Sequence, residues 1–234
     1  MNEREKVFLP RGSTRKSPRA GSEEDHQFSP TFTPVPLLYT ICLDATNMEG
    51  YLPDIFHYFP KLTRLDLRNN NLTGILPKSL DRAEIEYLFL HNQKLGFEGS
   101  IHVLSTMTHL VDVQLQNNNF TGLIPDLSNS HYLTSLSLDN NFLTGVVPPS
   151  LANLQNMDYL TLDNNMLRGP IPNFSSNVEI ISLYPINRLC PESDGHCDQM
   201  ILLDIAQAFR NPVHLTHSWK WDNSNCQNWS FIMC

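Results

Sequence analysis

Apolar residues in this chain keep a fixed rhythm. One is followed by a second three places on and a third two places later. A polar stretch ending in asparagine comes next, then another apolar residue, glycine and proline. The phrase reads LTRLDLRNNNLTGILP from Leu62, LVDVQLQNNNFTGLIP from Leu110, LTSLSLDNNFLTGVVP from Leu133 and MDYLTLDNNMLRGPIP from Met157. Weaker copies begin at Leu38, Ile85 and Val178, so successive starts lie 24, 23, 25, 23, 24 and 21 residues apart. In each copy the residues equivalent to Leu62, Leu65 and Leu67 point inward from a short strand, and those between them point out. No such unit can bury its apolar face alone, so stability must come from stacking on its neighbours. The period therefore predicts a solenoid of about six to seven coils over residues 35–189.

Period and LxxLxL phrase together are the signature of a leucine-rich repeat. The asparagine eight places after the first leucine (Asn70, Asn118, Asn141, Asn165) falls where the chain leaves the strand and turns. A buried amide there donates and accepts, satisfying backbone groups that the turn would orphan. Stacked asparagines would form a ladder. Glycine then gives free dihedrals, and proline fixes φ while blocking further ladder bonds. The copy at Leu38 has Thr46 at the asparagine position, which predicts a less well tied turn. The copy at Ile85 keeps Leu88, Leu90 and Leu95 but has Gln93 for asparagine and two extra residues before Gly99, which should bulge outward. In the last copy Val178, Ile181 and Leu183 hold the phrase, Ile186 replaces asparagine, and the pattern stops.

The residues between the leucines line the concave sheet in three columns. The first reads Thr40, Arg64, Tyr87, Asp112, Ser135, Tyr159; the second Cys42, Asp66, Phe89, Gln114, Ser137, Thr161. The third reads Asp44, Arg68, His91, Gln116, Asp139, Asp163. Tyr87, Phe89, His91 and Tyr159 are expected to be exposed anchors, because aromatics are enriched at binding hot spots. Arg64 and Arg68 have the geometry to grip a carboxylate bidentately, unless they pair with Asp66 between them. No catalytic constellation is visible: the nine histidines are scattered, with no nucleophile–base motif or metal-spaced pair. Asp139 and Asp163 resemble a two-carboxylate site, but the recurrence of one repeat position explains them better. No cofactor and no metal ligand set is expected.

Charge and composition narrow the partners. The formal charge is −8, and residues 1–25 hold six Lys/Arg against five Asp/Glu, leaving −9 for the rest. A mildly acidic body without a basic stripe argues against nucleic acid. Residues 1–34 are rich in charge, Ser, Thr and Pro without apolar period, which predicts a disordered tail rather than a regulatory segment or an export signal. No stretch reaches the ~18–20 apolar residues of a membrane helix. Four N-x-S/T sequons, at Asn71, Asn119, Asn173 and Asn228, are nevertheless acceptors for glycans in a secreted chain.

Cysteines fall at 42, 190, 197, 226 and 234. The last four suggest a disulfide-stapled cap over residues 190–234, with local pairing the simplest of three connectivities. Zinc is the rival, without the paired CxxC or HxxxH it needs. Cys42, on the outward side of its strand, is the odd thiol. Between the pairs, Asp198 suits an N-cap, Ile201, Leu202, Ile205 and Phe209 recur at helical spacing, and Asn211-Pro212 ends the helix. Trp219, Trp221 and Trp229 follow. A cap placed after its repeats implies a second block of repeats beyond it.

The helix followed by SW…CxxW…C resembles the N-terminal cap of plant extracellular leucine-rich-repeat proteins, and LTGxIP resembles the plant repeat class. IEYLFLHNQKLGFEGSIHVLSTMTHL and GLIPDLSNSHYLTSLSLDNNFLTGVVPPSL resemble the ectodomain of the transmembrane kinase (TMK) subfamily of plant receptor-like kinases. The resemblance covers residues 38–234 and implies a right-handed curved α/β stack with short parallel strands on its concave face. It also implies extracellular or plasma-membrane placement, a role in auxin and growth signalling, and a secreted auxin-binding protein or a co-receptor kinase as partner. No VAIK-type lysine, HRD loop or DFG occurs here. The chain therefore reads as a truncated, non-enzymatic ectodomain, and a soluble scaffold or decoy inhibitor is the alternative.

Overall fold

The protein is described by a computed structural model covering residues 37–176, 178–180 and 187–190. Seven coils follow one another, each with two short strands. The first carries β1 (Thr40–Cys42) and β2 (Glu49–Tyr51), the second β3 (Arg64–Asp66) and β4 (Asn71–Gly74). The third carries β5 (Tyr87–Phe89) and β6 (Gly96–Ser100), the fourth β7 (Asp112–Gln114) and β8 (Asn119–Leu123). Then come β9 (Ser135–Ser137) and β10 (Phe142–Gly145), β11 (Tyr159–Thr161) and β12 (Met166–Pro170), and β13 (Glu179–Ile180) and β14 (Arg188–Cys190). Odd-numbered strands make one seven-stranded parallel sheet and even-numbered strands a second. The register is that of the repeat: Arg64 faces Tyr87, Tyr87 faces Asp112, and Tyr159 faces Ser135.

The second sheet corrects the reading of glycine and proline as a plain continuation of the coil. Asn71-Leu72-Thr73-Gly74 alternates outward and inward, so Leu72 is buried, and the strand pairs with the coils on both sides. Phe120, Leu143, Leu167 and Leu189 repeat that buried position. The core is thus a stack of leucine columns closed by two sheets. Its third side is made by short 3-10 turns at Phe56–Tyr58, Lys78–Arg82 and His102–Thr106 and by α1 (Pro149–Ala152). Each inserts one apolar residue, namely Phe56, Leu80, Leu104 and Leu151.

The repeat glycine has a steric reason. At Gly145 φ is +81°, and an added Cβ would collide with Leu123 Cδ2 of the preceding coil. Tyr51 lies over Gly74 in the same way, and Ile75 over Gly99. The glycine is the seat on which its neighbour's side chain rests.

The ladder asparagines join the two sheets. Asn118 Nδ2 donates to Leu90 O (3.1 Å) and Leu115 O (3.0 Å), while its Oδ1 accepts Phe97 N–H (2.9 Å). Asn141 and Asn165 repeat this, with Phe120 N–H and Leu143 N–H as the donors they accept. Asn70 accepts from both Thr46 N–H and Met48 N–H. Each amide therefore bonds to backbone in its own coil and the one before. Direct side-chain rungs occur instead among the preceding asparagines: Asn92 Nδ2 donates to Asn69 Oδ1 (3.0 Å), Asn117 to Asn92 (2.6 Å) and Asn164 to Asn140 (2.9 Å). Those residues sit at φ of +53° to +59°, the left-handed region that asparagine tolerates.

The irregular coils depart from expectation in instructive ways. Gln93 reaches the same partners as an asparagine, donating to Leu67 O (2.8 Å) and accepting Leu72 N–H (3.0 Å). The extra residues are taken up at Lys94 and Leu95, which turn outward. Leu95 is 57% exposed, and Phe97 is fully buried in its stead, stacked 6.1 Å from Phe120. Thr46 is tied after all: its hydroxyl donates to Leu43 O (2.8 Å) and its N–H to Asn70. The last coil does not stop at Ile186. Asn187, one place later, donates to Leu162 O (2.7 Å) and accepts Leu167 N–H (3.0 Å), so the pattern completes.

Among the described residues, the first coil has a neighbour on one side only in both sheets. An apolar cleft of about 120 Å³, lined by Leu38, Leu43, Met48, Leu52 and Phe56, opens there. Expectations for residues 1–34, the helix near Asp198, the tryptophans, Cys197, Cys226, Cys234 and Asn228 lie outside the described residues. Cys190 is described only as backbone of β14.

Asn118→Ala should cost about 2–4 kcal/mol, because it orphans buried groups in two coils. Asn117→Gly should stay within about 0.5 kcal/mol, since glycine accepts positive φ, while Asn117→Val should cost roughly 1–3 kcal/mol. Urea unfolding of the three variants checks the order.

Candidate ligand-binding face

The outward side chains of the odd-numbered strands form the concave surface, and crowding there sorts them. Asp66, 2% exposed, holds two arginines at once: Arg64 Nη2 lies 3.1 Å from Oδ2 and Arg68 Nε 3.4 Å from Oδ1. The Arg64 guanidinium also covers Phe89 at 4.6 Å and Tyr87 at 5.8 Å, and the two rings meet edge to face. Cation–π contact and the ion pair both favour this arrangement. Two expectations need correcting. Phe89 is 6% exposed and His91 8%, so neither is a solvent-facing anchor. Phe89 is covered by Arg64, and the arginines are engaged with Asp66 rather than open to a ligand carboxylate.

Tyr87 and Tyr159 remain half-buried and reachable, three strands apart in the first column. At ~4.8 Å per strand, about 14 Å separates them. Between them lie Asp112 and Ser135, and beside them Gln114, Gln116, Asp139 and Asp163. Cys42 is an exposed free thiol at the edge.

Electrostatics follow from packing. Burial, reinforced by the Arg68 cation, holds His91 below the ordinary histidine range, against the pull of Asp66, Asp112 and Asp139. Its ring is therefore neutral at neutral pH. Burial raises Asp163, and the neighbouring Asp139 carboxylate raises it further. Asp139 accepts from Thr161 Oγ1 (2.7 Å) and Asn140 Nδ2 (2.7 Å). No three His, Cys, Asp or Glu side chains among the described residues are grouped to hold a metal. Sequence reasoning aligned Asp112, Gln116, Asp139 and Asp163 in their columns but did not single them out as binding residues. The column register was the available signal.

The sequons differ in access. Asn173 is exposed, whereas Asn119 Nδ2 donates to Leu95 O (2.6 Å) and Asn71 Nδ2 to Glu49 Oε1 (3.3 Å).

Two parallel sheets joined by an asparagine seam, one of them bare and concave, define a leucine-rich-repeat solenoid of the plant receptor type. The Leucine Rich Repeat family matches residues 61–83 and 132–154. Receptor-like kinase TMK4 of Arabidopsis thaliana is 43% identical over 167 residues, covering 70% of this chain and 18% of that protein. Receptor-like kinase TMK2 of the same plant is 38% identical over 197 residues, covering 80% and 22%. The Arabidopsis receptor kinase HAESA, solved with the peptide hormone IDA and the co-receptor SERK1, superposes with a TM-score of 0.60 at 25% identity. That match covers 68% of this chain and 28% of HAESA. The chain belongs to the leucine-rich-repeat family, with repeats of the TMK-like plant receptor-kinase kind. It spans about a fifth of the length of the curated relatives it matches.

A neutral buried histidine gives stability a pH dependence. The folded pKa of His91 lies below its unfolded value, so the unfolded chain takes up the proton first as pH falls. Stability from this residue is complete above the unfolded pKa of about 6.5 and is lost as pH drops toward the folded value. Thermal melts between about pH 7.5 and about 5 should show a smaller loss for His91→Gln than for the parent.

Proposed function

We propose that this chain is the ligand- or co-receptor-recognition segment of a TMK-like receptor kinase, working outside the cell without enzymatic activity of its own. One observation carries the reading: the odd-numbered strands present a seven-stranded face that no other described residue covers, with Tyr87 and Tyr159 reachable on it. Stacked strands fix side chains in rigid columns, so a partner meets a preorganised surface and little ordering entropy opposes binding. Solenoids use their curved faces in this way. HAESA, of similar fold, binds a peptide hormone and a co-receptor, and the same partner classes suit this face. A secreted auxin-binding protein is the protein ligand that the TMK resemblance favours. No helix of the described residues is long and apolar enough to cross a membrane.

A tagged chain exported from plant cells should capture a secreted auxin-binding protein or a co-receptor ectodomain. Tyr87→Ala with Tyr159→Ala should weaken capture at least about tenfold, as truncated hot-spot aromatics do. Equal capture by parent and variant would remove the concave face from the reading. In the same exported material, Asn173→Gln should lose one glycan by mass spectrometry. Asn119→Gln should lose none, because its amide nitrogen is already engaged with Leu95 O.

A further inference from the structure

The third concave column carries buried polar atoms that have no hydrogen-bond partner among the described residues. On successive coils it reads Arg68, His91, Gln116, Asp139 and Asp163. Backbone bonds lock the row: Asn69 N–H donates to His91 O (3.1 Å), Asn92 N–H to Gln116 O (3.1 Å), Asn117 N–H to Asp139 O (3.1 Å) and Asn140 N–H to Asp163 O (3.0 Å). Neighbours in the row are therefore held one strand spacing apart, ~4.8 Å. His91, more than nine-tenths buried, has an Nδ1 without a hydrogen-bond partner, and the buried Gln116 Oε1 has none either. Folded proteins rarely leave such atoms unpaired unless something else completes them.

What completes them is set by the charge around them. Among the described residues, Asp112 accepts from Gln114 (3.2 Å), Asp139 from Thr161 and Asn140, and Asp163 from Asn164 (3.1 Å). All of these donors are neutral. No described lysine or arginine pairs with the three carboxylates, in contrast to Asp66, which has two arginines. Adjacent unneutralised carboxylates repel: burial raises the Asp163 carboxyl, and the Asp139 charge beside it raises it further. From Gln116 to Asp163 the row presents acceptors and negative charge.

We propose that the row from His91 to Asp163 is a subsite for a basic side chain, lysine or arginine, of an extended peptide lying across the coils. The proposal rests on the recognition reading above. The row spans about 14 Å, the length over which an extended peptide at ~3.3 Å per residue places two or three side chains on one face. Its polarity is fixed as well. Arg68 repels a cation at one end, so the basic group lies between Gln116 and Asp163. An ammonium or guanidinium there donates to Gln116 Oε1 and neutralises the Asp139–Asp163 pair.

The test uses the full chain, immobilised, against a library of random twelve-residue peptides. Retained peptides should be enriched in lysine or arginine. Their affinity should fall about tenfold in Asp139→Asn with Asp163→Asn, the loss expected when a charged hydrogen-bonded pair becomes neutral. It should fall further with added salt. Asp126→Asn, the same charge change outside the concave columns, should leave affinity unaltered. Melting curves should show the variants still folded cooperatively, since asparagine keeps the oxygen that accepts from Thr161 and gives up only the one that accepts from the half-buried Asn140. Retained peptides without basic enrichment, or basic peptides indifferent to the two substitutions, would overturn the subsite and leave peptide recognition standing. Recovery of no peptide would overturn peptide recognition and the subsite together.

Discussion

One buried amide in each described coil after the first holds this molecule together. The side chain of Asn118, or of its counterparts Asn70, Gln93, Asn141, Asn165 and Asn187, spans the corner where the chain passes from one sheet to the other. At that corner two carbonyls and an N–H face inward without strand partners, in a region too dry for water to serve them. A carboxamide is the smallest group that donates twice and accepts from one terminus. Because its partners lie in two successive coils, the same group that closes one turn fixes the distance to the next. The leucine columns supply most of the free energy, but the amide decides where each coil sits.

That fixed spacing makes the concave face a rigid surface rather than a row of loose strands. Side chains in each column stand one strand apart and compete for room, and the outcome depends on charge and size. Around Asp66 the competition ends in mutual satisfaction, with Arg64 paired to the carboxylate and laid over Phe89. Further along, Asp112, Asp139 and Asp163 find only neutral donors. One end of the face is electrostatically closed and the other open, and a partner would be attracted to the open end.

Variation in the repeat shows which features the fold needs. Gln93 replaces asparagine without loss because its longer side chain still reaches Leu67 O and Leu72 N–H. The extra residues beside it shift the buried position from Leu95 to Phe97, keeping the column filled at the expense of local register. The seam tolerates a change of length. The exterior asparagines, by contrast, are required by backbone conformation, since a β-branched residue at their positive φ would be strained.

The sequence by itself determined the solenoid, its period, the leucine columns, the structural asparagines and the alignment of residues on the concave face. These are properties of the repeating unit, and repetition writes them several times over. The second sheet was harder to see, because each of its strands is only a few residues long. The seventh coil's asparagine was one place out of phase and was overlooked for that reason. Exposure was decided only in the tertiary structure. Phe89 and His91 read as free anchors along the chain, yet neighbouring coils bury them, and of the two readings open for Arg64 and Arg68 the structure shows the pairing with Asp66. A repeat fixes which residues stand in a row, whereas which of them meets solvent depends on contacts between coils some two dozen residues apart.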